Sequence, residues 1–178
     1  MKITTFFLLS AALLTMSCAT APTQSADVKD SLKQSLDLAN LKDVSVTQDR
    51  TKGVVTLGGH VVTEGEKTQA ASIAKSIAGE QVVANEIAVI PPDNAADAKQ
   101  FNSALDEGIE SNLKAALITK KLQDIVKVSV KNNVVTLTGE VASQALRTQT
   151  ETLASEVPNV KQVVNELQVK GQKATSSN

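Results

Sequence analysis

The chain has 178 residues, 42% of them hydrophobic and 21% charged, and carries 18 Lys+Arg against 19 Asp+Glu. That is enough for one ordinary domain or two very small ones, and it excludes wholesale disorder. A net charge of −1 removes the broad basic field that non-specific nucleic-acid binding requires, so no nucleic-acid partner is expected. There is no Trp or Tyr, and Phe101 is the one aromatic outside the N-terminal segment that holds Phe6 and Phe7. This disfavours base-stacking and sugar-binding surfaces. A single Cys and a single His exclude a disulfide framework and an ordinary zinc site; no metal or cofactor is expected.

Lys2 supplies a positive start, and Ile3 to Met16 form an apolar stretch. At roughly 14 residues it is too short to span a bilayer, which takes about 20, but it suits the core of a signal peptide. Two cleavage readings follow. Ala19-Thr20-Ala21 fits small-x-small processing, but Pro22 would sit just after the cut. The other is Ser17-Cys18, which resembles a bacterial lipobox and would make Cys18 the lipidated first residue, although Thr15 stands where Leu is usual. The second reading gives a signal peptide over 1–17 and a small, polar tether over 18–26. A three-chain anchor at Cys18 would hold stably to a membrane, and Ala19 favours export to the outer membrane. The eight residues from Ala19 to Ala26 reach at most about 28 Å.

An internal repeat organises the rest. A shift of 80 aligns Gly53–Val89 with Asn133–Val169 without a gap, with 13 of 37 positions identical. Upstream the offset is read as 84, setting Val44-Ser45-Val46 against Val128-Ser129-Val130, with a longer turn in the first copy.

Each copy reads helix, strand, strand, helix, strand. Val28, Leu32 and Leu36 recur every fourth residue and predict the first helix. The runs Val44/Val46 and Val54–Leu57 predict a hairpin around Asp49 to Gly53. Thr63 with Glu66 forms a capping box that starts the second helix, whose Ile73, Ala74 and Ile77 face inward. A last strand ends at Val89. Pro91-Pro92-Asp93 stops it, and a partly helical linker spans 91–104, with Asp93 available as N-cap. Phe101, Leu105, Ile109, Leu113 and Leu117 continue one stripe, so the next helix should begin near residue 95 despite Gly108. In the second copy the turn is Lys131-Asn132-Asn133, where Asn tolerates positive φ. Ser143 caps the following helix, Leu153, Ala154 and Val157 face inward, and a strand ends at Val169. The tail over 171–178 is polar and should fray. The fold class is α+β: two tandem αββαβ units, 27–90 and 105–170, each a three-stranded sheet with two helices on one face.

Val55-Thr56-Leu57-Gly58-Gly59 with Val83-Ala84-Asn85-Glu86-Ile87, and their counterparts at 135–139 and 163–167, resemble the BON domain, named for bacterial osmotically inducible and nodulation proteins. The resemblance covers nearly the whole mature chain. Gly59 and Gly139 are its most recognisable positions, read as a bulge or a close approach of the next helix. Glu80 departs from the pattern, since a small apolar residue such as Val160 is usual there, so the last loop of the first copy should differ. A lipobox followed by two such domains looks like the dual-BON envelope lipoproteins. The resemblance implies a non-enzymatic protein on the periplasmic side of the envelope that supports barrier integrity. It also implies contact with phospholipid or another hydrophobic surface.

No constellation for catalysis is present. His60 has no nucleophile or second His to pair with, and Glu140 replaces it in the second copy. Glu86 and Glu166 recur at matching places, and alternation with apolar neighbours reads them as solvent-facing. Gly58-Gly59 lacks the Lys-Ser/Thr of a phosphate loop. The asymmetric feature is charge. Residues 27–92 hold nine acids and seven bases, net −2, whereas 105–170 hold eight of each, net 0. Lys114, Lys120, Lys121, Lys127 and Lys131 share a span with Asp124 as its only acid, and Leu117 and Ile118 lie among them. Lysines near an anionic membrane contribute about 1 kcal/mol each, and apolar neighbours can insert. Lys114, Leu117, Ile118, Lys120 and Lys121 are therefore the candidate lipid-contact surface, with the bland alternative of a solvated helix end. The expected partners are the membrane through Cys18 and anionic phospholipid or envelope proteins. The rival readings are a soluble periplasmic stress protein that binds client apolar patches, if cleavage follows Ala21, and a purely protein-binding adaptor.

Overall fold

The computed structural model describes residues 24–171. The signal segment, Cys18, most of the tether and the tail beyond Gly171 lie outside the described residues. Helix α1 (Lys29–Leu38) buries Leu32 and Leu36. It ends in a Schellman turn, in which Leu41 N–H donates to Leu36 O at 2.9 Å and Asn40 N–H to Asp37 O at 3.1 Å. Asn40 takes the left-handed position with φ 61, one of the few conformations where Asn substitutes well for Gly. Strands β1 (Val44–Asp49) and β2 (Val54–Val61) pair antiparallel. Helix α2 (Glu64–Ala78) then returns the chain so that β3 (Val82–Asn85) and β4 (Ala88–Val89) lie parallel to β2. The capping box forms: Thr63 Oγ1 accepts from Glu66 N–H at 3.2 Å, and Glu66 Oε2 accepts from Thr63 N–H at 3.0 Å.

The second unit repeats this plan with α3 (Ala95–Thr119), β5 (Val126–Lys131), β6 (Val134–Val141), α4 (Gln144–Ser155) and β7 (Gln162–Val169). Asn94, not Asp93, occupies the α3 N-cap position, because Pro92–Asn94 form a short 3-10 turn ahead of the helix. Ile109, Leu113 and Leu117 are buried, whereas Phe101 is exposed. A four-residue spacing drifts about 40° per step on a helix of 3.6 residues per turn, so the early part of the stripe rotates off the core. The tight hairpin turn has φ 49 at Asn132 and φ 68 at Asn133, the two positive values a two-residue hairpin demands.

The repeat alignment needs one correction. Val44 pairs with Gly59, and Val126 pairs with Gly139, so β1 and β5 correspond at an offset of 82 rather than 84. Val126, Val128 and Val130 alternate along one face, and a slip of two residues leaves every side chain on the same side. Hydrophobic pattern alone cannot detect such a slip.

The last loops differ as well. Helix α2 runs to Ala78 and turns at Gly79 (φ 63), leaving Glu80 exposed. Helix α4 stops at Ser155 and the chain turns at Asn159 (φ 69), because Pro158 stands where α2 has Ala78 and cannot continue the helix. Val160, the counterpart of Glu80, packs against the core.

Each unit keeps its own core between helices and sheet. A third apolar cluster (Val54, Val82, Ala84, Val134 and Val164) lies between the two sheets. The units thus pack back to back through their helix-free faces, which resolves the instability of two very small domains.

Candidate functional site

The back-to-back contact captures the recurring carboxylates. Lys52 Nζ, from the first hairpin turn, donates to Glu166 Oε2 at 2.6 Å, and the Glu166 side chain is only 11% exposed. Reciprocally, Lys131 Nζ lies 3.4 Å from Glu86 Oε2, and Asn132 Nδ2 donates to Glu86 O at 2.7 Å. Glu86 and Glu166 are therefore interface residues and not solvent-facing ones. They alternate outward from their own cores, but outward is where the other unit sits. The Lys52 pKa is raised, mainly by its hydrogen bond to Glu166 and against the effect of burial. Gln162 completes the seam, accepting from Asn85 N–H at 3.1 Å and donating to Val83 O at 2.6 Å. It thereby satisfies the outer edge of β3.

This contact is head to tail. The hairpin turn of each unit meets the distal half of the other unit's last strand. Glu166, which holds Lys52, is in register with Thr138, and Thr138 with Lys127. Ser25 N–H donates to Arg50 O at 2.8 Å, and Arg50 Nε donates to Ser25 O at 2.8 Å. The chain therefore enters the fold, at Ser25, beside the first hairpin turn. That point shares an end of the molecule with Gly139 and the C-terminus of α3. The matching end of the first unit, with Leu38, faces the opposite way.

At the α3 end the candidate surface separates into parts. Leu117 is 1% exposed and packs in the core. It is corrected to a core residue because it occupies the Schellman position whose apolar contact is Leu122, with Leu122 N–H donating to Leu117 O at 2.9 Å. Lys114 is tied to Glu110 at 2.6 Å. Ile118 is 60% exposed and Ile125 40%; Lys120, Lys121 and Lys127 surround them, also exposed. No ion pair engages these three lysines among the described residues. Lys121 has φ 58, the left-handed position that Asn40 fills in the first unit. A residue with neither Gly's freedom nor Asn's local hydrogen bonding costs roughly 1 kcal/mol there. Ile125 was missed in the sequence because it precedes the strand run and breaks no pattern. Asp124 and Glu140 are exposed acids of this end, and Asp27 and Asp49 are exposed at the hairpin turn that shares it.

Gly59 and Gly139 have a structural task. A Cβ on Gly59 (φ 84) would lie 2.0 Å from Asp43 O, and one on Gly139 (φ 133) would lie 2.1 Å from Ile125 O. The close approach is to the residue preceding the opposing strand, not to the next helix. His60 is exposed at the end of β2. Among the described residues no three His, Cys, Asp or Glu side chains gather as a metal site. No described helix is long and apolar enough to cross a membrane.

Residues 21–91 and 105–171 match the BON domain family. The chain belongs to the BON domain family. It is 31% identical over 137 residues to osmotically-inducible protein Y of Escherichia coli (strain K12), covering 76% of this chain and 67% of that protein. Two solved structures of CdsD, the structural protein of the type III secretion system of Chlamydia trachomatis, match 79% of this chain at 14% and 16% identity. Their TM-scores are 0.33 and 0.32, and the match covers 66% and 62% of their length; a likeness that low carries no argument. Within the two BON domains, Asn85 and Asn165 bridge last strand to second helix. Asn85 Nδ2 donates to Lys67 O at 3.3 Å and Asn165 Nδ2 to Arg147 O at 3.2 Å. The buried Arg147 guanidinium in turn donates to Asn165 O and Leu167 O at 2.8 and 3.0 Å. Burial lowers the pKa of its counterpart Lys67, with Glu64 opposing. Sequence reading did not single out either residue, since a basic residue on an amphipathic helix looks solvated.

Proposed function

We propose that this chain is a non-enzymatic envelope protein of the osmotic-stress class. It is held on the periplasmic side of the outer membrane by lipid at Cys18, and it presses the α3 end of its second BON domain onto anionic phospholipid. The observation that carries the reading is the group Ile118, Ile125, Lys120, Lys121 and Lys127: two exposed apolar side chains among lysines without acidic partners. Lys121 adds weight because it keeps a cation in a backbone position where Asn would be more stable. The tether supports it too, leaving the fold on the same end as these lysines. Similarity to osmotically-inducible protein Y and membership of the BON family support the stress and envelope setting.

A short tether raises the effective concentration of a weak contact to the order of mM, so modest affinity suffices. The test is flotation of residues 19–178, made without lipid at Cys18, on anionic and zwitterionic vesicles at low and moderate salt. The reading expects flotation on anionic vesicles only, weakened by salt and lost in Lys120→Glu/Lys121→Glu. Failure to float under any condition contradicts direct lipid binding and leaves protein partners as the better account.

A further inference from the structure

Helices α1 and α2 pack directly on each other, whereas α3 and α4 barely touch. Helix α2 buries Ala70, Ala74 and Ala78 and half-buries Ile73 and Ile77. Helix α4 has the larger Thr150 where α2 has Ala70, and half-buried Leu146 and Leu153 where α2 has Glu66 and Ile73. Beside α4 lies a groove of about 710 Å³ between the end of α3 and the length of the helix, walled by Leu122, Ala145, Leu146 and Leu153 with Gln149 at its lip. Lys120 and Glu156 also line it. They stand at opposite ends, because β6 leads from Gly139 directly into the α4 N-terminus, next to the α3 end, while Glu156 follows the last turn of α4.

We propose that this groove holds one acyl chain of an anionic phospholipid whose phosphate rests against Lys120. The inference rests on the phospholipid reading above and sharpens it, from adsorption on a surface to seating of a single lipid. The volume lies in the ~300–1,000 Å³ range of small-molecule sites, and the apolar wall is interleaved with Thr148, Gln149 and Thr152. Charge complements the ligand. The first turn of α4 carries no acid, whereas the first turn of α2 carries Glu64 and Glu66. Ser143 Oγ accepts from Leu146 N–H at 3.2 Å, and the positive end of the α4 dipole favours a phosphate at the Lys120 end. Glu156 bars an anion from the other end, which leaves the uncharged chain to run along α4. Lys120 sets one end of the groove next to Lys121 and two residues from Ile118, so a lipid can enter without leaving the membrane surface.

The test uses residues 19–178 and lysophosphatidylglycerol of short chain, kept below its micelle concentration, with lysophosphatidylcholine as the zwitterionic arm. Amide resonances of Ala145, Leu146 and Leu153 should shift saturably with the anionic lipid and at least tenfold more weakly with the zwitterionic one. Gln149→Trp, which fills the groove from an exposed position, should weaken that binding at least tenfold while flotation on anionic vesicles persists. Flotation without monomer binding, or monomer binding indifferent to Gln149→Trp, overturns the groove and leaves the surface reading standing. Equal binding of the two lysolipids overturns the role of Lys120. Loss of both flotation and monomer binding in the wild type overturns both readings together.

Discussion

The two BON domains of this chain are alike where the fold needs them to be and unlike at the α3 end. Gly59 and Gly139 both let a strand approach a carbonyl that any side chain would strike. Glu86 and Glu166 both reach across the seam, and both first helices close with a Schellman turn. At that turn, however, the first domain has Ala39 and Asn40 where the second has Lys120 and Lys121. The next helix opens with Glu64 and Glu66 in the first and with Gln144 and Leu146 in the second. The second domain thus carries lysines in place of an alanine and a favourable cap residue, and uncharged side chains in place of two acids. The head-to-tail seam turns that difference into direction, since it sets the lysine end on the side where Ser25 enters the fold.

The largest effects should fall on the shared features. Gly59→Ala and Gly139→Ala should each cost at least about 3 kcal/mol, from the carbonyl clash and the positive φ together, measured by urea unfolding; a loss under about 1 kcal/mol in either would break the equivalence. Leu117→Ala should cost about 2–5 kcal/mol as a buried leucine. Ile118→Ala, one residue on, should cost under about 1 kcal/mol but reduce flotation. Reversal of that pair of outcomes would restore Leu117 to the contact surface.

Smaller effects test the seam. Glu166→Gln should cost about 1–2 kcal/mol, because the carboxylate is nearly buried, whereas Lys131→Ala should cost within about 0.5 kcal/mol, its ammonium being well exposed. The folded-state pKa of Lys52 is raised above the ordinary 10.5, so its contribution is fully present below 10.5 and is lost as pH rises through the raised value. Wild type should therefore lose stability above pH 10.5 more steeply than Glu166→Gln; parallel curves would refute the pairing. Another small change is the most telling. Lys121→Asn should stabilise the second domain by about 0.5–1 kcal/mol and weaken anionic-vesicle binding about fivefold, the loss of roughly 1 kcal/mol for one lysine.

Much of this architecture was legible in the sequence because period and punctuation are local. Val28, Leu32 and Leu36 spelled a helix, Thr63 with Glu66 started one, and Asn132-Asn133 closed a hairpin. What stayed hidden depended on the other domain or on exact register. Glu166 looked solvated because its partner Lys52 is 114 residues away. The two-residue slip of β5 was silent because alternation has a period of two. Leu117 was read both on the helix stripe and, from its lysine neighbours, on the surface; its place in the Schellman turn makes it core. The groove beside α4 could not be read at all, since it arises from a difference in helix approach and not from any motif.

The central claim is that one end of one domain meets the membrane. Cys18 is the sole cysteine, so residues 19–178 accept a single spin label at Ile118→Cys or at Leu38→Cys, the exposed residue of the opposite end. Immersion depth would be read on anionic vesicles. The account predicts a label at 118 within the acyl region and a label at 38 in water. Equal depth at both sites, or a deeper label at 38, would contradict it.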